Sequence, residues 1–434
     1  MTKNSARISI ALLGFGHVGK GVFSILEKRL TALNKRLGVI FELKYILVRS
    51  PEKYQNINFG SAKLCTNFHD ILNDKDISIV IELMGGENPA FNYICEALKA
   101  KKHVITANKE VMAKHQNHFF QLARDHDVDI CFEAAVAGGI PIIRALKVGF
   151  AANEISTLYG ILNGTTNYIL SKIQHEQRDF SEVLKQAQTL GLAEADPHMD
   201  VSGLDAAYKL VLLAGVAFKK LITLSDVYYE GIENITLTDI QYAQKLGYVI
   251  KLLAIGKVFS SDKHAFKVHP TLIPNQHPLA GIHDETNAVF IDGDAVGESL
   301  LAGKGAGGAP TASAVVSDLI DLAFDLGQPR SSRHIENDLT LTHAISIDEG
   351  YSQFYLRLQI KDEKGALEQV SSCLNQHNVS IAKLLQSRLS DETAELVLIT
   401  HNCLEKTFIA AKDSLNTLAA VKQLSASIRL RLDE

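Results

Sequence analysis

The stretch Ile8-Ser9-Ile10-Ala11-Leu12-Leu13-Gly14-Phe15-Gly16-His17-Val18-Gly19 decides how the chain is read. Its first half is a short apolar run of the kind that forms a buried strand. Its second half spaces three glycines as G-x-G-x-x-G, and an amphipathic pattern over Val18–Leu30 follows at once. In a strand–turn–helix context each glycine has a task. Gly14 permits the tight turn, Gly16 lets backbone approach a pyrophosphate, and Gly19 lets the helix pack close to the sheet. Backbone N–H groups of Phe15, His17 and Val18 then join a helix N-terminus that favours phosphate. The implied ligand is a nicotinamide dinucleotide.

Outward from this loop, strands and helices alternate. Strands are expected at Phe41–Val48, Ile77–Leu83, His103–Thr106 and Asp129–Glu133, with a helix over Pro89–Ala100. Apolar runs alternating with amphipathic helices predict a parallel sheet covered on both faces, an α/β domain of Rossmann type. The second strand ends Val48-Arg49-Ser50, with Lys53 nearby, where NAD sites usually carry an acid for the ribose hydroxyls. A cation there suits a 2′-phosphate, so Arg49 tilts the expectation to NADP, with NAD as the alternative.

The middle of the chain reads differently. Helices are expected over Thr165–Gln174, Ser181–Leu190 and Leu204–Phe218, then strands at Val249–Phe259, Ala265–Ile273 and Val289–Ile291. This is a separate α+β domain with a mostly antiparallel sheet. The glycine run Gly303–Gly308 precedes a long helix from Pro310 to Leu326, and Gly327–Asp348 is a polar, linker-like segment. From Tyr351 the expected order is βαββαβ, the ferredoxin-like arrangement.

Composition narrows the function classes. The 434 residues are 46% apolar with net charge −5 and mixed signs, which excludes nucleic acid as a main partner. Leu210–Phe218, the most apolar internal stretch, is far short of the roughly 20 residues that span a bilayer. Five widely spaced cysteines form neither a C-x-x-C pair nor a disulfide framework. A soluble cytoplasmic protein is expected.

The densest acidic cluster outside the first domain is Glu194-Ala195-Asp196-Pro197-His198-Met199-Asp200, leading to Asp205 and Lys209. Asp205 and Lys209 are four apart on one helix and face the same way. An exposed pair of this kind is worth little. Here an apolar run follows directly, which favours a buried, chemically useful pair.

Taken with Gly14–Gly19, four further stretches make the chain resemble the homoserine dehydrogenases over nearly its whole length. They are Thr106-Ala107-Asn108-Lys109, Phe132 through Pro141, Asn163-Gly164-Thr165-Thr166-Asn167-Tyr168, and Glu194 through Lys209. The resemblance implies interconversion of L-homoserine and L-aspartate 4-semialdehyde with NAD(P), in threonine, methionine and isoleucine biosynthesis. It implies Lys209 as the acid–base residue and Asp205 as its orienting partner and a substrate contact. Glu194 would bind the substrate's amino group, with Asp200 and Thr165 placing the substrate. Lys109 would lie beside both cofactor and substrate, and Gly191, Gly305 and Gly307 would join the cofactor site. Glu133, with the carbonyls of Val136, Gly138 and Ile140, matches the family's site for sodium or another monovalent cation.

The resemblance also implies the domain plan: 1–135 with 303–330 for the cofactor, 136–302 for catalysis and dimerisation, 331–349 as linker, and 350–434 as a regulatory ACT domain. ACT modules pair edge to edge and bind amino acids. L-threonine is the implied effector, with Gly365 and Asn378 as candidate contacts, in a homodimer or homotetramer. The alternative is a non-catalytic NADP- and amino-acid-sensing protein on the same fold. Aspartate-semialdehyde chemistry through a cysteine is disfavoured, because Cys131 lies within a strand.

Overall fold

The computed structural model describes residues 6–326 and 339–430. By packing, the chain divides into two compact units. One draws on Met1–Ile155, Tyr208–Leu224 and Asp292–Leu341, the other on Ser156–Ala207, Ser225–Ile291 and Thr342–Glu434. The expected catalytic segment 136–302 contributes to both. Of the expected linker, 331–338 lies outside the described residues, and the remainder holds the short strands Thr340–Leu341 and His343–Ala344.

The first unit is built on six strands: β1 (Ala6–Leu13), β2 (Val39–Leu47), β3 (Lys63–Cys65), β4 (Ile77–Glu82), β5 (His103–Thr106) and β6 (Ile130–Cys131). All are parallel, in the order β3-β2-β1-β4-β5-β6. The sheet grows outward from β1 to β3, then resumes on the other side of β1 at β4. That reversal opens a crevice at the carboxyl ends of β1 and β4, where open α/β sheets bind ligands. From Ile8 to Leu13 every side chain of β1 is buried, as a doubly covered central strand requires. Helix His17–Leu37 and helix Gly308–Leu326 cover one face and share a core of Val22, Leu26, Ala312, Val315 and Leu319. A Cβ on Gly21 would lie 2.7 Å from Gly308 O, so only glycine allows this helix pair.

This unit departs from the sequence reading in several places: strands Lys63–Cys65 and Gly297–Lys304 and helix Phe68–Leu72 were not expected, the second strand taking in the first two residues of the glycine run. Helix Lys109–His126 was not expected, since its face mixes Lys, His, Gln and Asn. It forms because Asn108 caps it and Val111, Met112, Phe119, Phe120 and Ala123 make a buried stripe. The expected strand Asp129–Glu133 shortens to Ile130–Cys131, and Glu133 opens a tight turn instead.

In the second unit, strands Thr286–Gly293, Ile155–Ile161, Tyr248–Ser260 and Lys263–Pro274 lie side by side. Tyr248–Ser260 runs antiparallel to both of its neighbours. Helices Gly164–Glu176 and Leu237–Leu246 belong to the same unit. The C-terminal segment has the expected βαββαβ order, with sheet order Val421–Leu430, Tyr351–Lys361, Thr393–Thr400, Ile381–Ser390. On one face Phe354, Leu356 and Leu358 pack with Val370, Leu374 and Phe408 of its two helices.

Alternation along Tyr351–Lys361 sends the intervening residues to the other face. There Arg357 meets the capping box of helix Leu237–Leu246. Its guanidinium donates to Asp239 Oδ1 (2.7 Å), Glu395 Oε1 (3.1 Å) and Thr236 Oγ1 (3.1 Å). Tyr355 donates to Asp239 at 3.2 Å and Tyr242 to Glu395 at 2.8 Å. Asp239, Glu395 and Arg357 are all buried. Removing one partner of such a cluster strands the others without water. Arg357→Met should therefore destabilise the second unit by ~3–5 kcal/mol. Calorimetry checks this as a lowered melting transition, and an unchanged transition would show that the cluster adds nothing.

Candidate active site

The first unit supplies a dinucleotide cradle whose shape is set by sterics. Gly14 has φ +97°, and a Cβ on it would lie 2.8 Å from Leu83 O. A Cβ on Gly19 would come within 2.4 Å of Gly14 O. At Gly16 the same construction meets nothing within 4 Å. The loop is thus closed on the protein side and open at the one glycine where a pyrophosphate must approach. Helix His17–Leu37 starts there with no side-chain cap and no acid in its first turn, so its terminal N–H groups and positive dipole end suit an anion. The residues present fit a dinucleotide.

The side chain of Phe15 is turned into the protein. Its ring is buried and packs edge-on against Phe23, Tyr54 and Phe59. Arg49 lies exposed just past β2. Gly305 and Gly307 lead into helix Gly308–Leu326, and a Cβ on Gly308 would lie 2.9 Å from His17 O. The two helix N-termini therefore stand side by side.

Glu82, which the sequence reading passed over, ends β4 at the crevice and is completely buried. Its carboxyl accepts from Met84 N at 2.7 Å and from Thr106 Oγ1 at 2.6 Å. Burial pushes its pKa up, and the surrounding hydrogen bonds offset this only in part. Asn108 continues the network, donating to Gly86 O at 2.7 Å and accepting from Val111 N at 3.3 Å. One carboxyl thus fixes the turn after β4 and the turn after β5, and the second ends in Lys109, half-buried at the start of its helix. The available signal was a lone acid closing an apolar run, Ile79-Val80-Ile81-Glu82.

The loop after β6 has an unusual backbone. Ala137 (φ +53°) and Gly138 (φ +55°) are left-handed in succession. A Cβ on Gly138 would overlap Gly305 O at 2.3 Å, and Gly139 N donates to Lys304 O at 2.9 Å. Glu133 is buried, and its two carboxyl oxygens accept from Ile143 N (2.9 Å) and Arg144 N (2.8 Å). Each oxygen keeps a further lone pair. Carbonyls of Val136, Gly138 and Ile140 on this turn would complete an all-oxygen donor set, which fits a hard cation. Ile140 O already accepts from Ile142 N at 2.8 Å. Among the described residues, no group of three or more His, Cys, Asp and Glu side chains is placed to hold a metal.

The second unit brings carboxylates together around Asn163. Its Oδ1 caps helix Gly164–Glu176 by accepting from Thr166 N at 2.8 Å. Its Nδ2 donates to Asp200 Oδ1 at 2.7 Å and to Asp205 Oδ2 at 2.8 Å. Both amide hydrogens are used, and two separated acids converge on one group. Asp205 is 3% exposed, and Lys209, one turn further along helix Leu204–Phe218, is 9% exposed. Their burial is what distinguishes them from a surface pair. Thr165 Oγ1 donates to Leu192 O at 2.7 Å, tying the helix to the acidic stretch. Glu194 and Gly191 are exposed, and Gly191 has φ +72°. Glu194 meets Gln188 Nε2 through its backbone oxygen, at 3.1 Å.

Asn167, one turn along the capped helix, donates to the carbonyls of Ile282, Asp284 and Thr286 at 3.2, 2.9 and 3.1 Å. Lys251, 1% exposed, donates to Asn167 Oδ1 at 3.0 Å, and burial pulls its pKa down to about 8. Neither Asn163 nor Asn167 carries a local sequence signal for these contacts, because their partners are far along the chain.

No helix among the described residues is long and apolar enough to cross a membrane. The family model described as homoserine dehydrogenase matches residues 141–320, and that described as homoserine dehydrogenase, NAD binding domain, matches 14–133. A homoserine dehydrogenase of Bacillus subtilis is 40% identical over 98% of this chain and 98% of its own length. One from Synechocystis sp. is 41% identical over 98% and 99%. The crystal structure of a homoserine dehydrogenase from Thiobacillus denitrificans superposes with a TM-score of 0.93 at 39% identity, covering 98% of this chain and 99% of that one. With the nicotinamide cradle and the buried acid–lysine helix in place, the chain belongs to the homoserine dehydrogenase family.

Proposed function

We propose that the chain interconverts L-homoserine and L-aspartate 4-semialdehyde, with NADP as its preferred cofactor. The observation that carries this is the Asn163–Asp200–Asp205 cluster, with Asn163 and Asp205 buried, Asp200 half-buried and Lys209 one turn beyond Asp205. When bound, the nicotinamide supplies or accepts the hydride. The protein's part is to hold charge and move one proton. Lys209, as an ammonium, gives its proton to the oxygen that becomes the homoserine hydroxyl. In the reverse direction, as an amine, it takes that proton back. Asp205 is fixed by Asn163 and orients the lysine. Asp200, Glu194 and Thr165 hold the amino-acid end, with the substrate ammonium drawn to the carboxylates. Lys109 is proposed to lie beside both cofactor and substrate. Gly14, Gly16, Gly19, Gly305 and Gly307 are proposed as cofactor contacts, and Gly191 as a further one.

Glu133 with the carbonyls of Val136, Gly138 and Ile140 is proposed to hold sodium or another monovalent cation. The successive left-handed residues support this, since they turn the backbone sharply between the proposed donors.

Residues 350–434 are proposed as an ACT domain. The βαββαβ order supports it, as does the outer strand Ile381–Ser390, exposed along nearly its whole length. Leu384, Leu385 and Leu389 are exposed on that strand, which suits pairing with a second copy in a homodimer or homotetramer. Gly365 (φ +85°) starts helix Ala366–Gln376, and Asn378 (φ +56°) is exposed before Val379. Both suit a small amino-acid effector, proposed as L-threonine.

Three outcomes are expected. Lys209→Ala should lower turnover of homoserine by about 10²–10⁴-fold, followed as NADP reduction at 340 nm in a standard spectrophotometric assay; near-normal turnover would remove the lysine from the chemistry. Arg49→Ala should raise KM for NADP by roughly tenfold while leaving KM for NAD alone, because the guanidinium pairs only with the 2′-phosphate. Equal effects on both cofactors would count against that pairing. Finally, millimolar L-threonine should reduce activity and raise the melting temperature of the native chain. If neither moves, the C-terminal module serves assembly alone.

A further inference from the structure

We infer that Arg429, on the last strand of the C-terminal module, is a positioning residue that acts through Glu230 on the turn carrying Asp200. The inference rests on the reading of Asp200 as a substrate contact.

Strand Val421–Leu430 is where the C-terminal sheet joins the sheet of the acidic site. It runs antiparallel to Tyr351–Lys361, with Phe354 opposite Arg429, and parallel to Lys263–Pro274, with Thr271 opposite Arg429. At that junction the Arg429 guanidinium is split between two acids. Nε donates to Glu405 Oε2 at 2.9 Å, and Nη1 donates to Glu230 Oε2 at 2.8 Å. Glu405 is completely buried and also accepts from Lys267 Nζ (3.1 Å) and Ser352 Oγ (2.8 Å). It is the fixed end. Tyr228 presses its ring against the guanidinium at 4.9 Å and donates its hydroxyl to Glu230 at 3.0 Å. A planar fork with several donors can satisfy both acids at once, which a lysine cannot.

Glu230 is in turn locked to the site by backbone. Its N–H donates to Val268 O at 2.8 Å. Glu230 O lies 3.2 Å from where a Cβ on Gly203 would sit, and a Cβ on Gly231 would overlap Val201 O at 2.0 Å. Ile232 N donates to Val201 O at 2.8 Å. Gly203 N in turn donates to Asp200 O at 3.1 Å, closing the turn that presents Asp200 to Asn163. The backbone part of this path is tight, because two glycines are in backbone contact and the remaining backbone steps are hydrogen bonds; the Glu230 side chain joins it to Arg429. A displacement of the Glu230 backbone is passed through these contacts to the Asp200 turn. The bland alternative is an ion pair that only holds two sheets together. Glu230 is 38% exposed, so the pair alone contributes little stability. The backbone clamp is what gives it a second task.

The test is steady-state kinetics on the full-length enzyme with saturating NADP. Arg429→Met and Glu230→Gln should each raise KM for homoserine by about tenfold, with kcat and KM for NADP within about twofold. The double variant should be no worse than the singles, as expected when both act through one contact. Arg429→Lys should recover part of the effect. If Arg429→Met does not fold, the half-exposed Glu230→Gln decides alone. Unchanged KM for homoserine in Glu230→Gln, whatever happens to its melting temperature, overturns the inference. Asp200→Asn is the reference. If it too leaves KM unchanged, the fault lies in the reading of Asp200; if it raises KM while Glu230→Gln does not, only the positioning role falls.

Discussion

Backbone meets backbone at van der Waals limits around the cofactor loop, and the first unit depends on that constraint. Side chains cannot exist at Gly14, Gly19, Gly21, Gly138 or Gly308, because a Cβ at each would lie within 2.3–2.9 Å of a backbone oxygen. Each contact docks one segment on another: β1 on the turn after β4, helix His17–Leu37 on helix Gly308–Leu326, the Glu133 loop on the second glycine run. Real Cβ contacts do not occur at such distances, so an alanine would push these segments apart. Gly16 is the exception, and its openness is what leaves room for a ligand. The sequence pattern G-x-G-x-x-G therefore describes two kinds of glycine, closed and open, and only the structure separates them.

Beneath that steric frame, four buried carboxylates among the described residues each have hydrogen-bond donors of their own. Glu82 is surrounded by N–H and O–H donors, Glu133 by two backbone amides, Asp205 by Asn163, and Asp239 by Arg357, Tyr355 and Thr236. Neutral donors and cationic donors do different work. Where amides and hydroxyls surround a carboxyl, burial still wins and its pKa rises, as at Glu82 and Glu133. A raised carboxyl is favoured in its protonated form. Stability from these two groups is therefore present at low pH and lost as pH rises through their folded values.

What could be read in advance was local. The glycine loop depends on neighbours within six residues, and helix Leu204–Phe218 was read end to end because its apolar run is continuous. The order βαββαβ was visible for the same reason, as each strand alternates and each helix is bounded by turns. What escaped was either masked by polar composition or distributed over the chain. Helix Lys109–His126 hides its buried stripe among His, Lys and Gln, and Leu237–Leu246 gave no strong period. Asn163 stands in the stretch Asn163–Tyr168, yet its partners lie 37 and 42 residues away. Arg357 and Asp239 are separated by 118 residues, Arg429 and Glu230 by 199. No periodicity connects such pairs.

The two arginines of the C-terminal sheet show why that separation matters. Arg357 sits over the start of helix Leu237–Leu246, and Arg429 sits over the segment Tyr228–Gly231. Both are forks between carboxylates, Arg357 buried and Arg429 half-buried, but their targets differ. Asp239 is already satisfied by its own capping box, so Arg357 mostly neutralises a charge that the helix keeps in place. Glu230 has no cap of its own and stands on a backbone clamped to Val201 and Gly203. An arginine that neutralises a capped acid contributes stability. An arginine that fixes an otherwise exposed acid contributes position. Similar chemistry on neighbouring strands thus divides between holding the fold and placing the substrate turn, and the division follows from what stands behind each acid.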